Sequence, residues 1–345
     1  MEFLVGLNFH GINCASYQNR PLPIQPPKDY INDSFKIFSQ AGIQCIRFPL
    51  YWESYERDPL EFIHELDNIS STADKYDILC VYDNHQWGCS SYFGKGIGFP
   101  NSLLVQCFKE DTKSSRSSNS RDPEDLKKFW NDWWDRKLSV EGKDGWDAQS
   151  EFLERVINTV KNKNSTLGFE ILNEPQIFRL RDYERVGKYH DYIITKLSAI
   201  TEKTLFFCYT YPSPRISFSS PFYQLKTKPS VKVKNKIIFD VHPYPPWFLT
   251  MGYYKAISQL MGKIPVYVGE FNAGTEYGVT INTQQFNKYV KRLEAFKVSG
   301  CAFWQWSYTI DNSHPAFNLT NVIDNKIYPN TNFKNLLTRS EIKCA

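Results

Sequence analysis

The chain has 345 residues, of which 41% are hydrophobic and 23% charged, and its net charge is +4. Such a composition is ordinary for a globular protein and supplies enough apolar residues for a large core. The charge is too small to point to a nucleic-acid partner, and no apolar run is long enough to span a membrane.

Eight short apolar runs follow one another along the chain: FLVGLNF (3–9), QCIRF (44–48), ILCVYD (78–83), LGFEIL (167–172), TLFFCYT (204–210), IIFDVH (237–242), PVYVGEF (265–271) and CAFWQW (301–306). They are rich in β-branched and aromatic residues, as buried strands are. Near-continuous apolarity, rather than strict alternation, predicts burial on both faces and hence a parallel sheet. Between them, 28–41 carries Tyr30, Ile31, Phe35 and Phe38 at helical spacing and stops at Gly42. The stretches 147–162, 182–201, 252–261 and 283–297 repeat that pattern. Strand and helix alternating over this length predict a (β/α)8 barrel. An open doubly wound sheet would carry a glycine-rich turn after its first strand, whereas HGINCASY stands there.

The connection from Asn84 to about Asp147 is unusually long. It reads as an elaborated β3–α3 loop over the top of the barrel, with SSRSSNS (114–120) as its tip. Nothing else resembles a linker or a repeat, so residues 1–345 are expected to form a single domain and a monomer. The start MEFLVGLNFHGIN has no basic region and no small-residue cleavage site, which is not the pattern of a signal peptide. The chain is then cytoplasmic, or extracellular if a leader has been removed. Cys45, Cys80, Cys208 and Cys301 lie in strand-like runs and read as small hydrophobes. Cys89 and Cys107 flank one loop and could bridge; no spacing suggests zinc.

The polar residues at the strand ends carry the chemistry, because barrels of this kind place their sites there. Strand two ends with Arg47 and strand three with Asn84 and His85. Strand four ends with Asn173 and Glu174, followed by Pro175. Strand six ends with His242 and Tyr244, strand seven with Glu270 and strand eight with Trp304. A merely solvated rim would show Lys, Ser and Asp without preference. Two glutamates, an arginine, two histidines and a tyrosine converging on one mouth are the parts of an acid–base site.

This ordered set resembles glycoside hydrolase family 5, the cellulase and mannanase family of retaining (β/α)8 glycosidases. The resemblance spans essentially the whole chain: Arg after strand two, His after strand three, Asn-Glu-Pro after strand four, His-x-Tyr after strand six, Glu after strand seven and Trp on strand eight. It implies that Glu174 is the acid/base and Glu270 the nucleophile. Arg47, His85, Asn173, His242, Tyr244 and Trp304 would hold the substrate or tune the two carboxylates. No metal or organic cofactor is implied. The expected substrate is a β-1,4-linked polysaccharide, cellulose or another β-glucan, cleaved internally with retention. The alternatives are a β-mannanase, an exo-acting β-glucosidase-like enzyme or a non-catalytic sugar-binding barrel. A metal-dependent barrel hydrolase would want H-x-H after strand one, and NFHGIN has one His.

Other residues have two readings. Glu170 lies four residues before Glu174, roughly 13 Å along an extended strand, and reads as a buried structural group. His10 lines the site or caps the barrel. Trp52, Trp87 and Trp247 are sugar platforms or loop packing. Trp130, Trp133 and Trp134 read as core, and His64, His190 and His314 as surface or packing residues.

Overall fold

The computed structural model describes residues 3–16, 25–93, 96–107, 123–212, 220–244, 247–272, 290–309, 318–331 and 333–334. All eight apolar runs are strands: β1 (Leu4–Phe9), β2 (Cys45–Leu50), β3 (Leu79–Asn84), β4 (Thr166–Glu170), β5 (Thr204–Cys208), β6 (Ile237–Val241), β7 (Val266–Phe271) and β8 (Gly300–Trp306). Each pairs in parallel with its sequence neighbours, and β1 pairs with β8, so the sheet closes into a barrel. The fold is a (β/α)8 barrel.

Helices pack outside it. Helix α1 (Tyr30–Gln40) turns Tyr30, Ser34, Phe35 and Phe38 inward and gives way at Gly42, whose φ of 69° is open to glycine without strain. Helix α2 (Pro59–Tyr76) was not among the helices read from the sequence, although its start is well marked. Asp58 accepts the Glu61 N–H at 3.2 Å and Pro59 occupies the first turn. Helix α3 (Pro123–Trp134) belongs to the long third connection. Helices α4 (Gly145–Val160), α5 (Asp182–Ser198) and α6 (Trp247–Leu260) follow. Of the helix expected over 283–297, residues 290–295 are helical and 283–289 lie outside the described residues. So do the SSRSSNS tip, His314 and Cys344.

The long connection is a packed layer as far as it is described. Trp130, Trp133 and Trp134 are buried as expected. Trp133 and Trp134 meet Tyr189 of α5 edge-on. Trp134 Nε1 donates to the Gln176 carbonyl at 2.8 Å, which ties this layer to the segment just after β4. Cys89 and Cys107 are both free, buried thiols. The main core lies between strands and helices. A smaller one fills the barrel interior, formed by Cys45, Val81, Phe206, Ile238, Tyr267 and Ala302. Each large apolar side chain so buried contributes about 1.5–3 kcal/mol.

Candidate active site

Strand residues alternate sides with period two. Further toward their C-terminal ends the strands turn Asn8, Arg47, Asp83, Glu170 and Asp240 into the barrel, Arg47, Asp83 and Asp240 standing two positions beyond Cys45, Val81 and Ile238 of the apolar interior layer, and all five are fully buried. Arg47 is the hub. Nη1 donates to Glu270 Oε1 at 2.9 Å and to Asn8 Oδ1 at 3.0 Å, and Nη2 donates to Asn173 Oδ1 at 2.7 Å. Asp83 Oδ2 lies 3.0 Å from Nη2 and Asp240 Oδ2 lies 3.5 Å from Nε. Burial disfavours the guanidinium charge, but Asp83, Glu170, Glu270 and Asp240 outweigh it and hold Arg47 fully cationic.

Glu270 stands one residue out of phase, where the β7–β8 register shifts between Val268 and Phe271. Its second oxygen accepts the Tyr244 hydroxyl at 2.9 Å. Burial alone would raise this carboxyl. The charges of His242 and Arg47, with help from His85 and the Tyr244 hydrogen bond, bring it well below the usual carboxylate range. Gly269 makes this approach possible. Its N–H donates to Asp240 Oδ1 at 2.6 Å, and a Cβ there would fall 2.0 Å from Asp240 Oδ2.

Glu174 sits across the mouth with a left-handed φ of 41°, a strained backbone of the kind found where a side chain is aimed for function. Gln86 clamps this turn. Its Nε2 donates to the carbonyls of Asn173 (3.0 Å) and Glu174 (2.8 Å), while Asn173 Nδ2 donates back to the Gln86 carbonyl at 2.9 Å. His242 Nδ1 lies 2.7 Å from Glu174 Oε1 and 3.8 Å from Glu270 Oε2. One carboxylate oxygen of each glutamate and a His242 nitrogen lie within 4.8 Å of one another. Burial opposes a charge on His242, yet Glu270 and the Cys208 thiol raise its pKa well above the usual imidazole value.

His85 Nδ1 pairs with Asp83 Oδ2 at 2.6 Å, and its ring stacks on Trp304 at 5.4 Å between centroids. His10 meets Trp304 edge-on at 5.0 Å and approaches the Tyr51 hydroxyl, so it lines the mouth. Desolvation, then the neighbouring His85, lowers its pKa to about 3 and keeps it neutral. Trp52 is buried and stacked on Phe152, which is packing. Trp87 is 46% exposed beside the mouth, its backbone paired with Ile97. The Trp247 side chain lies outside the described residues.

The structure thus brings together Arg47, His85, Asn173, Glu174, His242, Tyr244, Glu270 and Trp304, while Asn84 donates to the Ile171 carbonyl at 2.9 Å. Asn8, Asp83, Gln86 and Asp240 were missed. The available signal was a charge inside an apolar strand, as in VYD and IFD. Glu170 is buried as expected but belongs to the same network, since Arg47 spans the distance to the mouth. Glu170, Cys208 and His242 also present donor atoms within 4.8 Å of one another, and the cation that this layer requires is supplied by Arg47.

Comparison with known proteins agrees with this architecture. A family model described as Cellulase (glycosyl hydrolase family 5) matches residues 6–310. An endoglycoceramidase from Hydra vulgaris is 26% identical over 200 residues, which are 48% of this chain and 37% of that protein. The chain therefore covers little more than a third of that relative's length. Among solved structures, endo-glycoceramidase II from Rhodococcus sp., in complex with a five-membered iminocyclitol, superposes with a TM-score of 0.64 at 13% identity. The match covers 90% of this chain and 76% of that one. An endoglucanase from Pseudomonas stutzeri superposes with a TM-score of 0.62 at 14% identity, covering 98% and 93%. At these identities the structural matches speak to the fold. With the family match spanning the barrel from β1 to beyond β8, the chain belongs to glycosyl hydrolase family 5.

Proposed function

We propose that residues 1–345 form one catalytic domain, a retaining endo-β-glycosidase in which Glu270 is the nucleophile and Glu174 the acid/base. The observation that carries this reading is the pair of carboxylates within 4.8 Å in unlike surroundings. So close an approach fits retaining enzymes, whose carboxyl groups stand about 5–5.5 Å apart, and is too short for the water of an inverting one. Glu270, held ionised by Arg47 and Tyr244, attacks the anomeric carbon. The bond to the leaving oxygen breaks as Glu174 gives that oxygen its proton. Glu174 then takes a proton from water, whose oxygen attacks the anomeric carbon and frees Glu270. Asn173, oriented by Arg47 and Gln86, faces the sugar 2-hydroxyl, and Trp304 forms the apolar floor. Neither step requires a metal or an organic cofactor.

The substrate on this reading is a β-1,4-linked glucan, cleaved internally, in keeping with the endoglucanase likeness. A second reading is favoured by the rim beside Glu174. Tyr211 N–H donates to the Pro175 carbonyl, and the Tyr211 side chain is 52% exposed. Leu180 and Phe222, from the connections after β4 and β5, are exposed too. An exposed aromatic side chain beside the turn that follows the acid suits an apolar aglycone, such as the ceramide named in the relatives. Reducing ends released from β-glucan, mannan and xylan, set beside ceramide released from a glycosylceramide in detergent, distinguish the two. Activity on glucan alone supports the first reading, on glycosylceramide alone the second. Net inversion on any substrate would overturn the mechanism.

A further inference from the structure

A fully buried carboxyl that the proposed reaction does not use lies beneath the site. Glu170 ends β4, and its Oε2 accepts from Arg47 Nε at 2.9 Å and lies 2.8 Å from Nη2. Two contacts from one edge of a planar guanidinium fix its plane. That plane decides where Nη1 points, and Nη1 is the nitrogen on Glu270 Oε1.

A second observation is the local charge. Asp83, Glu170, Asp240 and Glu270 surround one guanidinium, and all four are buried. Even counting a charge on both His242 and His85, four carboxylates face three cations. An uncompensated charge in such surroundings is costly, and buried acids relieve it by taking up a proton. Glu170 is the middle carboxyl. It shares Arg47 Nη2 with Asp83 on one side and Nε with Asp240 on the other. Its Oε1 has no hydrogen-bond partner among the described residues, and neither have Asp83 Oδ1 and Asp240 Oδ2. But Asp83 also pairs with His85 and Asp240 also accepts the Gly269 N–H, whereas the hydrogen bond described for Glu170 comes from Arg47. Glu270, by contrast, has Arg47 on one oxygen and Tyr244 on the other.

We propose that Glu170 is a positioning residue that works as the neutral acid: Oε2 aims Arg47 at Glu270, and Oε1 carries the proton that spares the ring a surplus negative charge. The groups facing it are Arg47 from β2, Asp83 from β3, Cys208 from β5, Asp240 from β6, His242 just beyond β6 and Glu270 from β7. Of these, burial keeps the Cys208 thiol protonated. Desolvation, opposed by Arg47 and reinforced by Asp240, lifts the Glu170 carboxyl to about 7. Above that pH Glu170 ionises, competes with Glu270 for Arg47, and slows attack by the nucleophile.

The functional half of this inference rests on the role given to Glu270, so the test has one arm without a substrate. Infrared titration of the wild type should show a protonated-carboxyl band that disappears as pH rises through about 7 and is missing from Glu170→Gln. The second arm is the burst of dinitrophenol from an activated glycoside, which needs Glu270 but little acid assistance. Glu170→Gln copies the neutral acid. Its burst should match the wild type at low pH and persist at high pH, where the wild-type burst declines. Glu170→Leu removes the acceptor. Its burst should slow by tenfold or more, on the order expected for a misaimed partner, with little change in KM and an acidic limb moved upward. A band that is absent from the wild type, or unchanged in Glu170→Gln, overturns the proton assignment. So does a Glu170→Gln defect of one constant factor at every pH. A Glu170→Leu burst with wild-type rate and limb overturns the positioning role; if that variant does not fold, the Glu170→Gln profile and the infrared band decide. An enzyme with no burst on any glycoside, but with the expected band, sinks the glycosidase mechanism and leaves the proton assignment standing.

Discussion

The inside of the barrel changes character over two residues. In the lower layer β2, β3, β5 and β6 contribute Cys45, Val81, Phe206 and Ile238. Two positions on, roughly 7 Å along each strand, the same strands contribute Arg47, Asp83, Cys208 and Asp240. The lower layer is apolar, packed and without charge, and its burial favours closure of the barrel. The upper layer places four carboxyl groups around one guanidinium, an arrangement that costs stability unless every charge is paired or neutralised. One barrel therefore separates its two tasks by height. Closure rests on the lower layer and the outer helices, and the chemistry rests on a layer that the rest of the fold must hold together.

Substitutions should respect that division, and four would sharpen or break it. The largest effect belongs to Glu270→Ala. Turnover should fall on the order of 10^4-fold or more on every substrate, because no glycosyl-enzyme can form, while the urea midpoint stays near that of the wild type. Residual turnover on an activated glycoside close to the wild-type rate would remove Glu270 from the chemistry. Glu174→Ala should cost about 10^2–10^4-fold on substrates with poor leaving groups. On a dinitrophenyl glycoside the covalent intermediate should accumulate, and azide should restore turnover and give the β-glycosyl azide. Rescue that follows Glu270→Ala instead, with the α-azide as product, would show that the two roles are exchanged.

Arg47→Ala crosses the division, since it removes the guanidinium at the centre of the upper layer. It should destabilise the fold by about 3–5 kcal/mol, as breaking a buried ion pair does, and it should also alter the chemistry. On the proposed mechanism Glu270 works ionised, and its activity is lost as pH falls through its folded pKa, which Arg47 helps to depress. Without Arg47 that pKa rises, so the acidic limb of the rate profile should move up. An unchanged limb in a folded Arg47→Ala variant would assign Arg47 to structure alone. Phe206→Ala tests the lower layer by itself. It should cost about 3 kcal/mol of stability through the cavity it leaves, measured by urea denaturation, with kcat nearly unchanged below the unfolding range. A large loss of kcat in the folded variant would mean that the two layers are coupled.

The strands, their order and their inward ends were legible in the sequence because both signals are local. An apolar run marks a strand buried on both faces, and the polar residues in or just past its C-terminal end stand at the rim of a barrel. Arg47, His85, Asn173, Glu174, His242, Tyr244, Glu270 and Trp304 could all be named that way. Helix α2 was missed although Asp58 and Pro59 mark its start. Its inner face includes the buried Glu65, which accepts the N–H groups of Ile12, Asn13 and Cys14, and a charge on the inner face blurs the apolar period.

Partnership was not local. Arg47 meets Glu170 across 123 residues and Glu270 across 223, and nothing in either neighbourhood specifies the other. Asp83 and Asp240 looked like isolated charges in strands, and Gln86 like a loop residue, until the barrel closed. Coulomb coupling and desolvation depend on separation in space and on exclusion of water. The sequence by itself therefore determined which side chains reach the mouth. Only the tertiary structure decided which carboxylate is held ionised, which is raised toward neutrality and which faces His242, because those states depend on how many like and opposite charges closure gathers around each group.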